Sequence, residues 1–196
     1  MNRSFVFFAL MCLAQSSVFG NLLINGDAEG EGLTGWTLSG QDIIFRPASQ
    51  KENAGWVYPA QGDYFFSFGR IQGSYAMMSQ TGLIDLNAET LTLGGYFQGE
   101  YSDFGVASLA VYDQSNAELV SVNTGNMTTP ILTWQTFQIE VPLPENSYSW
   151  QVTLEGFLDY GSVVNAFYDD VYLTPEPTTL LLLGLGGLML RRKYRR

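Results

Sequence analysis

Apolar and polar positions alternate with period two through most of the middle of this chain. Gly105 to Tyr112, Thr136 to Val141 and Trp150 to Glu155 each send successive side chains to opposite faces of an extended backbone. Asp63 to Phe68, Thr90 to Leu93 and Phe167 to Leu173 are rich in the β-branched and aromatic residues that suit a pleated, half-buried surface. Turn formers separate these runs: Gly62, Gly69, Gly73, Gly82, Gly94-Gly95, Asn123 to Gly125, Pro142 to Asn146 and Asp159 to Gly161. Outside the two ends of the chain no helical periodicity is sustained. Many short strands at turn-punctuated spacing predict an all-β fold, an antiparallel β-sandwich.

The two ends follow other patterns. Met1 to Gly20 carries Arg3, an apolar core from Phe5 to Ala14, and small residues Val18 and Gly20 ahead of Asn21. That order is expected of a secretory signal peptide cut before Asn21. Cys12, the single cysteine, lies inside this segment, and Met11 before it does not suit a lipoprotein site. The domain beyond Gly20 therefore has no disulfide and must be stabilised by its core. At the other end Pro175-Glu176-Pro177 is followed by Thr178-Thr179, an apolar run from Leu180 to Leu190, and a basic close from Arg191 to Arg196. The run of eleven residues falls well short of the ~20 that span a bilayer comfortably. Its basic end stays cytoplasmic under the positive-inside rule.

This tripartite tail resembles the PEP-CTERM sorting signal of Gram-negative bacteria. The resemblance implies an exosortase-type enzyme as a partner, a short apolar sorting helix that engages the inner membrane transiently, and a final place in the cell envelope, at the cell surface or in a biofilm matrix. The tail is either cut away there or kept as an anchor. The chain then divides into a signal peptide (1–20), an ectodomain (21–174) and a sorting signal (175–196).

Charge narrows the function. All but one of the 19 acidic residues fall in the ectodomain, but only Arg46, Lys51 and Arg70 of the nine basic ones do, a formal −15. Such a surface repels phosphate backbones, which excludes nucleic acid, and it attracts divalent cations. The chain has no histidine, which removes the usual general base and, with no cysteine beyond the signal peptide, the common transition-metal sites. Glu100, Asp103 and Asp159 offer loop carboxylates of the kind glycosidases use, but their spacing singles out no pair. No enzymatic activity is expected.

Two further segments carry a resemblance. Asn21-Leu22-Leu23-Ile24-Asn25-Gly26-Asp27-Ala28-Glu29-Gly30 with Gly35-Trp36, and Phe167-Tyr168-Asp169-Asp170-Val171-Tyr172-Leu173, are similar to the opening and closing strands of galactose-binding-like jelly rolls of the carbohydrate-binding-module type. Ala28 departs from that pattern, which has Phe there. The resemblance implies a jelly-roll sandwich in which Glu29 and Asp169 ligate a structural calcium. The residues lead to Asp169 separately. Strict alternation places Phe167, Asp169, Val171 and Leu173 on one apolar face that should point inward. An ionised carboxylate there needs a partner, and calcium is a suitable one for oxygen ligands. The alternative is a carboxylate at a wet strand end that binds nothing.

Trp56-Val57-Tyr58-Pro59 is a turn-rich aromatic stretch, and Trp56 and Tyr58 are the candidates for stacking on a sugar ring. Trp36 is expected in the core. Taken together, the sequence points to an exported surface or matrix protein that associates with exopolysaccharide through a calcium-stabilised sandwich. The alternative is a purely structural acidic surface protein with no sugar ligand. A glycosidase would require a carboxylate pair facing a cleft.

Overall fold

The computed structural model describes residues 20–30, 32–40, 44–47, 57–68, 75–85, 88–99, 102–130, 133–159, 161 and 164–177. The predicted signal peptide apart from Gly20, the candidate Trp56, Glu100 and the tail beyond Pro177 lie outside these residues.

Among the described residues, ten strands form two antiparallel sheets. The first sheet has the order β1-β4-β9-β6-β7, from β1 (Thr37–Gly40), β4 (Tyr75–Leu83), β9 (Ser149–Phe157), β6 (Phe104–Tyr112) and β7 (Glu118–Asn123). The second has the order β2-β3-β10-β5-β8, from β2 (Ile44–Pro47), β3 (Tyr64–Ser67), β10 (Ala166–Pro177), β5 (Ala88–Gly99) and β8 (Gln135–Pro142). Six of these strands match the predicted runs. The all-β sandwich expected from the alternation is the fold observed.

Alternation decides what each strand buries. In β9, Trp150, Val152 and Leu154 face inward and are buried, while Ser149, Gln151, Thr153 and Glu155 face out. Ala107, Leu109 and Val111 of β6 and Leu91, Leu93 and Phe97 of β5 meet them between the sheets. Each fully buried Leu or Phe stabilises the fold by about 1.5–3 kcal/mol relative to exposure, and with no disulfide this apolar layer is the main stabilising element. At one end, Phe68 and Phe97 pack on Tyr168 with ring centroids 5.4 and 5.2 Å apart. The Tyr168 hydroxyl donates to the Glu155 carbonyl at 2.7 Å, so this buried polar tip is satisfied.

The opening motif fastens the domain's two ends together. Leu22 N donates to Leu173 O and Val171 N to Gly26 O, each at 2.8 Å. The Asn21 side chain accepts from Leu173 N and donates to Val171 O. Gln80 is buried in β4 because its amide meets both the N–H and the C=O of Ile24. Trp36 is buried, as expected, with its Nε1 donating to Asn25 O and its ring edge-on to Phe66.

The structure departs from the sequence reading in four places. Strands β1, β2, β4 and β7 were not anticipated; β4 mixes Met, Ser and Gln without clean alternation, and β7 is an edge strand with no fully buried position. Gly82, Gly94 and Gly95, read as turns, lie inside β4 and β5. The Trp150 ring occupies the place where a Gly82 side chain would stand, and the Tyr172 ring does so at Gly94. Most consequentially, β10 does not alternate throughout. A bulge between Asp169 and Tyr172, with Asp170 at φ 46°, shifts the phase of the strand. Tyr168, Val171 and Leu173 therefore face the core, and Phe167 and Asp169 face the opposite side of the sheet. Finally, β10 continues to Pro177, three residues past the predicted domain boundary.

Gly94→Val should destabilise the domain by about 1–3 kcal/mol, because the added methyl groups meet the Tyr172 ring. Chemical denaturation of the two proteins measures this, and an unchanged midpoint would show that the close approach of the ring is not fixed.

Candidate functional site

The segment from Val57 to Tyr64 brings the predicted site residues together. Asp169, just before the bulge of β10, is fully buried beneath this segment and outside the main core. Its Oδ2 accepts from Ala60 N at 2.6 Å and Gln61 N at 3.0 Å, and its Oδ1 from Asp170 N at 2.8 Å. No basic side chain among the described residues meets it. Burial raises its carboxyl to about 6, against the lowering effect of the three N–H groups.

Glu29 holds the other end of the same segment. Its Oε1 accepts from Asp63 N at 2.7 Å and Tyr64 N at 2.9 Å. Gly62 makes this possible in two ways. Its φ of 59° is the left-handed region that turns the chain there, and the Glu29 carboxyl carbon lies 2.6 Å from where a Cβ would be. The two residues predicted to ligate calcium thus converge on one stretch of backbone. Asp170 joins them from the bulge, its carboxyl raised by burial and by the charge of Asp27. Among the described residues no group of three or more acidic side chains is arranged to hold a metal alone. Any divalent ion here would take its remaining ligands from backbone carbonyls or water. The donor set, oxygen only and without a cationic partner among the described residues, fits calcium in kind.

Tyr58 stands on the same segment with its side chain 57% exposed. Its carbonyl accepts from Trp134 Nε1 at 2.7 Å, and Trp134 packs edge-on against Phe65, which packs against Phe167. This small aromatic cluster sits on the far side of the second sheet. Asp103, considered as a catalytic carboxylate, is buried, with Oδ1 accepting from Asp159 N and Oδ2 from Asn165 N and Nδ2. It fastens two loops, and it meets the backbone of Asp159, not its carboxylate.

The outer face of the first sheet carries a constellation that the sequence reading missed. Tyr75, Phe157 and Phe104 sit directly opposite one another on β4, β9 and β6. Their rings form a half-buried row: Phe104 and Phe157 stack at 4.7 Å and 12°, and Tyr75 lies 5.0 Å from Phe157. The Tyr75 hydroxyl donates to Glu155 Oε1 at 2.7 Å, and burial followed by this bond raises its pKa. Along the same face run Ser79, Thr153 and Ser108, then Thr81 and Gln151, then Leu83, Ser149 and Tyr112. At that far end a cleft of about 350 Å³ is lined by Thr81, Tyr112, Asn116, Trp150 and Gln151 among others. Trp150 points its ring into the core, where its Nε1 is buried and finds no acceptor among the described residues. Each aromatic was visible in the sequence, but the register that aligns them belongs to the sheet.

Residues 173–196 match the PEP-CTERM protein-sorting motif, which marks an exported protein sorted to the cell envelope. No curated protein matches the chain in sequence. Among solved structures it is similar to TmCBM61 in complex with beta-1,4-galactotriose, at 24% identity and TM-score 0.56, over 80% of this chain and 99% of that one. It is similar to a family 16 carbohydrate-binding module at 20% identity and TM-score 0.57, over 79% and 99%. It is also similar to the enzymatically active domain of the bacteriophage CBA120 tailspike protein 4, at 18% identity and TM-score 0.59 over 80% of this chain, which corresponds to only 21% of the tailspike chain. These likenesses concern the sandwich fold.

The state of Asp169 yields a pH dependence. Its folded pKa of about 6 exceeds the ordinary 3.8 of the unfolded chain, so between these values the native state holds the extra proton. The stability it contributes is present below about pH 4 and is lost as pH rises through about 6, a difference on the order of 3 kcal/mol. In chelator, melting temperature should therefore rise on acidification from pH 7 to pH 5, and that slope should shrink in Asp169→Asn. Equal slopes in the two proteins would place the titration elsewhere among the acidic residues.

Proposed function

We propose that the ectodomain is an exopolysaccharide-associating protein of the envelope or extracellular matrix of a Gram-negative-type bacterium, stabilised by calcium at Glu29 and Asp169. The observation that carries this reading is the row Tyr75, Phe157 and Phe104. Half-buried rings on a sheet face, bordered by Glu155, Thr153, Gln151 and Thr81, offer apolar contact and hydrogen-bonding groups of the kind a pyranose chain uses. The solved structures of similar fold include a module bound to a galactotriose, which agrees with such a ligand class. The formal −15 of the domain disfavours a polyanionic polymer and favours a neutral one. Tyr58 would belong to a separate surface on the other sheet, and Trp56, the other sequence candidate, lies outside the described residues.

Calcium, when bound, would supply positive charge to two carboxylates that meet no basic side chain among the described residues. Glu29 and Asp169 would hold it, and the segment between Val57 and Tyr64 would be fixed more firmly over the second sheet. The rival reading, a purely structural acidic surface protein without a sugar ligand, draws on the same excess of carboxylates. In that reading divalent ions bridge acidic faces, and the aromatic row is simply packed.

Two measurements separate the readings. Affinity electrophoresis against neutral glycans and the producer's own polysaccharide should retard the wild type. Phe157→Ala and Tyr75→Ala should each weaken retardation about 2–10-fold, the effect of losing one aromatic contact. Passage of the wild type without retardation on any of them would leave only the structural reading. For the metal, calcium at about 100 times its dissociation constant should stabilise the domain by about 2.7 kcal/mol, a rise of several degrees in melting temperature. Magnesium should do less, because it demands stricter octahedral geometry, and Asp169→Asn should lose the gain. A melting temperature indifferent to calcium would remove the metal.

A further inference from the structure

The sorting motif does not hang free from the domain. Pro175 pairs with Leu91, Glu176 with Thr90 and Pro177 with Ala88, so the motif forms the last rungs of β10 on β5. Pro175 suits its position, and the ladder is irregular between Glu176 and Pro177. Leu173 directs both its N–H and its C=O away from β5, to Asn21 Oδ1 and Leu22 N. Backbone direction alternates along a strand, so Pro175, two residues on, also faces away and its missing N–H costs no rung. Thr174 and Glu176 face β5 and can exchange bonds with Thr92 and Thr90. Pro175 is buried, and the half-buried Glu176 lies on the outward face with Tyr172 and Thr174, beside Thr90, Thr92 and Glu140.

Only Thr178 and Thr179 separate Pro177 from the apolar run that begins at Leu180. Two residues reach about 7 Å at full extension. With the apolar run in the membrane, this edge of the sandwich is held at the membrane surface, and the motif can be enclosed by another protein only if it leaves the sheet.

We propose that the folded ectodomain masks its own sorting motif as the terminal rungs of β10, and that the sorting enzyme engages Pro175-Glu176-Pro177 only after that strand end peels from β5. The proposal rests on the reading of the tail as a sorting signal. Its partner is an enzyme that takes an extended, unpaired strand, and the opening equilibrium at this strand end sets how fast the protein is processed.

Two variants open the end without altering the motif. Insertion of Gly-Ser-Gly-Ser between Thr174 and Pro175 removes the motif from the ladder and keeps Leu173 in the core. Thr90→Pro deletes the N–H opposite Glu176 and leaves the distance to the membrane unchanged. Hydrogen exchange on the full chain in detergent should find the wild-type Glu176 amide protected by about 100-fold or more, with protection lost in both variants. Pulse-chase in the producing bacterium should show processing at least about threefold faster in both. A Glu176 amide that exchanges at the free-chain rate in the wild type overturns the masking. Protected wild type with both variants processed at the wild-type rate overturns the gating. A protected wild type that is never processed overturns instead the sorting reading beneath it.

Discussion

The carboxylates of Asp103 and Asp169, both buried, and of the exposed Glu29 are held by backbone N–H groups, in a domain with only three basic residues. Asp169 receives three such bonds, Glu29 two, and Asp103 two with a further bond from the Asn165 amide. A buried charge without a partner is strongly unfavourable, and bonds from N–H groups to an ionised carboxylate are about twice as strong as neutral ones. The acceptors fix the conformation of what they bind: Asp169 and Glu29 set the path of the segment from Ala60 to Tyr64, and Asp103 draws the turn at Asp159 to the strand entry at Asn165. The arrangement does not fully compensate at Asp169, whose carboxyl is still pushed up to about 6. That remaining cost makes it the position where a cation or a proton would alter stability most.

The fold was legible in the sequence where one face of a strand is buried and the other wet. β6, β8 and β9 alternate cleanly and were read with nearly their observed bounds. β4 was not, because its buried Gln80 and half-buried Met77 break the pattern for reasons that lie elsewhere: Gln80 is inside to serve Ile24. Asp169 was read as buried, and it is, but by a different route. A two-residue period cannot show a bulge, and Asp170 at positive φ turns what looked like an inward carboxylate into one covered from outside. The aromatic row was illegible for a related reason. Tyr75, Phe104 and Phe157 are distant in sequence, and only the register of three strands aligns them.

The two sheets differ in what lies over them. The second receives the opening segment along β10, the Val57 to Tyr64 stretch over Asp169, and the sorting motif at the end of its central strand. The first keeps on its outer face a row of rings and hydroxyl, amide and carboxylate groups. In the proposed reading, attachment would lie on one side of the apolar layer and polymer binding on the other.

The central position of β10 bears on when the protein can fold. It lies between β3 and β5, so the second sheet cannot close until the last strand of the chain has arrived. Contacts between the first residues after Gly20 and residues 171–173 span nearly the whole domain, and pairing of such distant segments is slow to form. An exported chain of this topology would complete its second sheet only once nearly all of the ectodomain has crossed. In the proposed reading of the tail, that moment would coincide with arrival of the apolar run at the bilayer, with a brief interval in which β10 is still unpaired.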